Sequence, residues 1–77
     1  QGTLVFLMGL GHLKEIAGKL MAYGKEPDTP AAVVRGNFDG SISAIRGCLS
    51  EIAQKVEVSG MKPPAVIVVG KSAEMDL

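Results

Sequence analysis

Residues 63–70 read PPAVIVVG, and the five residues between the second proline and the glycine are all apolar. A strand with one wet face alternates apolar and polar positions, whereas a strand apolar throughout is suited to cover on both faces. Such a strand belongs in the interior of a sheet, with a neighbour on either side and side chains packed above and below. At 77 residues the chain has room for one domain and one small core. The other segments must therefore supply both the neighbours and the cover.

Three segments qualify as neighbours. TLVFLM (3–8) is a β-rich run with no cap or surface segment ahead of it, an unusual start because first residues fray unless tied down. Pro30 leads into AAVVR (31–35), and SISAIRGC (41–48) reads as a further strand although Ile42 and Ile45 break strict alternation. Between the last two, GNFDGS (36–41) carries the Asn, Asp and Gly of a tight turn, so these strands should pair antiparallel. Helical spacing fills the gaps. Leu10, Leu13, Ile16, Ala17, Leu20 and Met21 share one face of a helix over 10–23, with Gly24 placed for a left-handed cap. Leu49, Ile52, Ala53 and Val56 do the same over 49–58, and Gly60 stops that helix. The order is β-α-β-β-α-β, an α/β module with a mixed four-stranded sheet. Beyond the central place of the last strand, the residues leave strand order open.

Composition removes several function classes. Eight basic and eight acidic residues balance, so the electrostatic footprint of a nucleic-acid binder is missing, as is a polybasic strip for a membrane surface. No apolar run approaches the roughly 20 residues a spanning helix needs. One histidine and one cysteine argue against a His/Cys zinc site and rule out an intrachain disulfide. That usage suits a reducing compartment, and cytoplasmic is the expected location. With two Phe, one Tyr and no Trp, the core must be aliphatic.

The motifs are weaker than the pattern. Gly9-Leu10-Gly11 follows a strand, as in a dinucleotide-binding fingerprint, but Lys14 stands where the third glycine belongs. The second strand closes on Arg35 rather than an acid; an arginine there could favour a 2′-phosphate. His12 reads as a surface residue, and Met8 and GNFDG read as core and turn. Cys48 precedes Leu49-Ser50-Glu51 with capping-box spacing, though a thiol is a poor acceptor for the cap. There is no nucleophile–base pair, no paired carboxylates and no phosphate-binding loop. On residues alone this is a small module without a complete active site.

Three segments, in order and at matching spacing, say more. TLVFLMGLGHLKEIAGKLMAYGKEPDTPAAVVR, then GCLSEIAQKV, then MKPPAVIVVG, resemble the C-terminal half of the uroporphyrinogen-III C-methyltransferases, within the tetrapyrrole methylase family. The resemblance runs from Thr3 to about Gly70. It implies strand order 1-4-2-3 and a C-terminal domain lacking its first strand. It also implies a fragment, core 3–70 and tail 71–77, whose N-terminal domain, glycine-rich loop and GGDP-type segment would precede Gln1. The implied parent is a cytoplasmic homodimer that uses S-adenosyl-L-methionine (SAM) to methylate uroporphyrinogen III to precorrin-2, on the route to sirohaem and cobalamin. Alternatives are another tetrapyrrole (precorrin) methylase and a small non-catalytic interaction module.

The resemblance further implies that Met8, at the end of the first strand, lies against SAM. The adenosyl part would be held by 31–37, in particular Ala32 and Asn37, and by Ala65 after the paired prolines. No catalytic residue is identified. In the loop this chain departs from the R-W-G-T-T-P-x-Q pattern of relatives: Asn37 replaces the glycine, Phe38 and Asp39 the threonines, and Ile42 the glutamine.

Overall fold

The structure, a computed structural model, describes residues 4–7 and 10–70. In chain order it contains β1 (Leu4–Leu7), a 3-10 turn (Leu10–His12), α1 (Leu13–Ala22), β2 (Pro30–Gly36), β3 (Ile42–Cys48), α2 (Ile52–Ser59) and β4 (Val66–Val69). One four-stranded sheet runs in the order β1-β4-β2-β3. The last strand is thus interior, as its composition demands.

The direction of the strands differs from expectation. β1 and β2 each pair antiparallel with β4, and β3 pairs antiparallel with β2, so the sheet is antiparallel throughout rather than mixed. Each helix still joins two strands that point the same way. Those strands are next-nearest neighbours, however, and the strand slotted between them runs in reverse. The order 1-4-2-3 implied by the resemblance holds, while the direction of the strand in the gap is not marked in the sequence.

Register assigns the faces. Phe6, Ile67, Val33 and Ile45 lie in one cross-strand row, and Leu4, Val69, Ala31 and Gly47 in the next. Both rows face the helices. Ile67, Val33, Val69 and Ala31 pack there with Leu13 and Ala17 of α1 and Ile52 and Val56 of α2 to form the core. The opposite face carries Val5, Val68, Ala32 and Arg46 in one row, then Val66, Val34 and Ala44. There Val5 is 56% exposed, while Val66, Val68 and Val34 are half-buried. The cover expected on both faces of β4 is present on the helix side alone among the described residues.

Both helices start later than their apolar spacing suggests. Neither N-terminus has a side-chain cap, because His12 and Glu51 stand where Ser, Thr, Asp or Asn would serve. Residues 10–12 tighten into a 3-10 turn instead. Ahead of α2, Glu51 donates its N–H to the Cys48 carbonyl (2.9 Å). Cys48 does not cap; its Sγ lies 3.3 Å from Ser50 Oγ. The C-termini follow expectation. Gly24, at φ +111°, donates to Met21 O while Lys25 donates to Leu20 O, a Schellman arrangement. Gly60, at φ +74°, closes α2 through Val56 O.

Candidate functional site

The β2–β3 strand pair and the start of β4 meet at one end of the sheet, near the C-terminal end of β1. The loop at this end is held by its own side chains. Asn37 donates its N–H to Ser41 O (2.9 Å), and its Nδ2 reaches Ser41 Oγ (2.9 Å) and Ser43 Oγ (3.0 Å). Asp39 Oδ1 accepts from the Ser41 N–H (2.9 Å) and hydroxyl (2.6 Å). These bonds stabilise the carboxylate, so the Asp39 pKa falls below its ordinary 3.8. Gly40 takes the positive φ (+89°) the turn requires; Gly36 remains in the strand. Phe38, at the tip, is fully exposed.

The four residues assigned to the adenosyl site are distributed unevenly. Asn37 directly follows β2, and Ala65 directly precedes β4, at the same end. Ala65 is buried in the helix-side core. Ala32 is also buried, but it lies deeper in β2, paired with Val68 and Arg46, with its side chain on the opposite face. The structure therefore brings Asn37 and Ala65 to one sheet end and leaves Ala32 outside that grouping. Met8 lies outside the described residues. The Asn37 amide acts as a strut inside the loop, a role the sequence did not suggest.

Two open depressions flank this end, which the sequence reading did not foresee. One, of about 700 Å³, lies between the 3-10 turn and α2, with Gly11, Lys14, Gln54, Glu57, Met61 and Lys62 on its rim. The other, of about 390 Å³, runs from Arg35 and Asn37 to Met61 and Lys62. Arg35 Nη1 donates to the Lys62 carbonyl (2.5 Å), tying the segment before β4 to the sheet. A signal was present in the spacing. Lys19 and Lys55 each follow an acid by four residues and pair with it, at 3.3 and 3.8 Å, whereas Lys14 has no acid within helical reach.

Among the described residues, no polar side chain is buried and no three His, Cys, Asp or Glu side chains cluster as metal ligands. Nor does any described helix have the length and apolarity to cross a membrane. What the sheet end offers a ligand is small side chains, strand-end backbone and a basic rim.

No family model matches the chain. It is 40% identical over 68 residues to a uroporphyrinogen-III C-methyltransferase of Bacillus subtilis, covering 88% of this chain and 14% of that protein. It is 42% identical over 69 residues to a SAM-dependent uroporphyrinogen III methyltransferase of Methanosarcina barkeri, covering 90% and 27%. The crystal structure of a uroporphyrin-III C-methyltransferase from Thermus thermophilus, complexed with S-adenosyl homocysteine, superposes with a TM-score of 0.75 at 34% identity, covering 90% and 31%. The resemblance drawn from the three segments is borne out over about nine-tenths of this chain, which spans under a third of each of these relatives.

Proposed function

We propose that this chain is the C-terminal part, core 3–70 with tail 71–77, of a SAM-dependent enzyme that methylates uroporphyrinogen III to precorrin-2. The observation that carries the reading is the match of the whole β1-α1-β2-β3-α2-β4 run, in sequence and in fold, to an enzyme solved with the demethylated form of SAM. The proposed parent is a cytoplasmic homodimer, and the partner of this segment is the N-terminal domain of the same polypeptide.

The described residues suit one wall of an adenosyl site. Ala65 adds little bulk beside the strand backbone and Asn37 holds the neighbouring turn in place, while Ala32, on the other face of β2, is assigned to the site through its backbone. Met8 completes the proposed set. When bound, SAM would supply a sulfonium methyl carbon for in-line attack by an electron-rich pyrrole carbon, the C–C bond forming as the C–S bond breaks and S-adenosylhomocysteine leaves. The chain's own share is positional: a rigid sheet end fixes the approach, and orientation of this kind contributes much of the acceleration in a two-substrate reaction.

One wall forfeits the contacts of the other while still ordering the ligand. The chain alone should therefore show no saturable SAM binding below about millimolar and no methyl transfer. The complete polypeptide that carries it should bind SAM and convert uroporphyrinogen III. Titration calorimetry on both, with product analysis for the latter, checks this. Tight stoichiometric binding by the chain alone would put the site elsewhere, and a complete polypeptide that ignores SAM would end the reading.

A further inference from the structure

Lys14 and Lys62 line the larger depression and Arg35 and Lys62 the smaller, and the two adjoin through Gly60, Met61 and Lys62 beside the sheet end. Among the described residues, none of the three has an acid within ion-pair distance, although Lys19, Lys55 and His12 each have one. Glu57 is the acid on this rim. The chain as a whole is neutral, so the excess of positive charge here is local.

We infer that Lys14, Lys62 and Arg35 bind the carboxylates of an acidic tetrapyrrole at this sheet end, an inference that rests on the reading given above. A tetrapyrrole of the uroporphyrin type bears acetate and propionate arms on every ring, so its rim is a ring of carboxylates around an apolar centre. The larger depression presents the complement: Lys14 and Lys62 at its edge, with the buried Leu10 and Leu13 at its floor. Arg35 commits one guanidinium nitrogen to the Lys62 carbonyl, which fixes its plane and leaves most of its donors for a bidentate carboxylate contact. Lys62 is exposed and borders both depressions, which places it to reach an arm whichever side the ring enters. Lys14 serves the far side of the larger one. The volume there lies in the roughly 300–1,000 Å³ range of small-molecule sites.

The test uses the complete polypeptide. Lys62→Gln should raise the KM for uroporphyrinogen III about tenfold and Lys14→Gln about threefold, with kcat and the SAM dissociation constant unchanged. Added salt should raise the KM of the wild type more than that of the double variant. Lys25→Gln, at the opposite end of α1, removes the same charge and should leave KM unaltered; SAM binding reports that each variant is folded. An unchanged KM in both Lys62→Gln and Lys14→Gln would overturn the inference, as would an equal rise in Lys25→Gln, since either result denies a local site. Those outcomes leave SAM binding and methylation by the wild type intact. Their loss in the wild type would instead remove the functional reading and this inference together.

Discussion

The helix-backed core and the loop end of the β2–β3 pair are held together by different physics. In the core, Leu49, Ile52, Ile67, Val33 and Val69 are almost completely buried, and no described polar side chain is buried with them. Its cohesion is apolar area and close packing, to which many residues contribute and in which similar side chains can substitute. At the loop end, Phe38, Asp39, Gly40 and Ser41 are exposed, and order comes from bonds among Asn37, Asp39, Ser41 and Ser43. Those bonds close within the loop and the first turn-side residues of β3. The sheet beneath the loop matches the fold of a relative. The loop can change its chemistry without consulting the core.

The comparison is most exposed to failure at its extremes. Ile67→Ala removes a fully buried side chain from the central strand and should lower unfolding free energy by about 2–5 kcal/mol. Against a typical total of about 5–15 kcal/mol, that leaves a domain close to unfolding. Phe38→Ala removes a larger side chain from full exposure and should stay within about 0.5 kcal/mol of wild type. Urea unfolding of the two variants measures both. A costly Phe38→Ala would mean that the loop tip packs against something and is not independent.

How much could be read from the sequence follows the same division. The core was legible because periodicity is a property of many residues at once: Leu10, Leu13 and Ala17 mark one helix face, and AVIVV marks an interior strand. Helix starts were not, because they depend on single cap residues, and neither His12 nor Glu51 forms a cap bond. The order 1-4-2-3 that the resemblance implied holds, but the antiparallel course of β4 was hidden because strand direction depends on partners some sixty residues away and leaves no local pattern. At the site, proximity to the sheet end could be foreseen for Asn37 and Ala65. The face on which Ala32 lies could not, since a one-residue change of register reverses it. The basic rim was missed because Lys14, Arg35 and Lys62 are far apart in the chain and form no motif.

A third region, the open sheet face, tests whether apolar composition alone makes a core. Val68 and Val33 lie on opposite faces of the sheet, half-buried and fully buried respectively. Replacing valine by threonine keeps the shape and adds a hydroxyl, which costs about 1–3 kcal/mol when buried without a partner. Val33→Thr should show that cost in this chain, and Val68→Thr should stay below about 1 kcal/mol because water can still reach its hydroxyl. Chemical denaturation of the pair sharpens the division. Equal losses would show that the open face is covered in solution and belongs with the core.

The smallest effect is expected at Asp39, and it tests the polar half of the comparison. The Ser41 hydroxyl and then the Ser41 backbone N–H both favour the ionised carboxylate, which lowers its pKa below 3.8. A group whose pKa is depressed by folding contributes stability above its unfolded value and loses it as pH falls through the folded one. The loop bonds should therefore be intact at neutral pH and weaken only as pH drops below about 3.8. Among the described residues the core has no titratable side chain to follow them, so the two regions should separate under acid. Carboxyl chemical shifts of Asp39 and the amide shift of Ser41, followed by NMR from neutral pH downward, measure this directly. In Ser41→Ala the hydroxyl contribution disappears and the Asp39 pKa should rise, while the backbone N–H keeps it from recovering fully. An Asp39 that titrates at or above 3.8 in the wild type would mean that its bonds to Ser41 do not form, and that something other than local hydrogen bonding orders the loop.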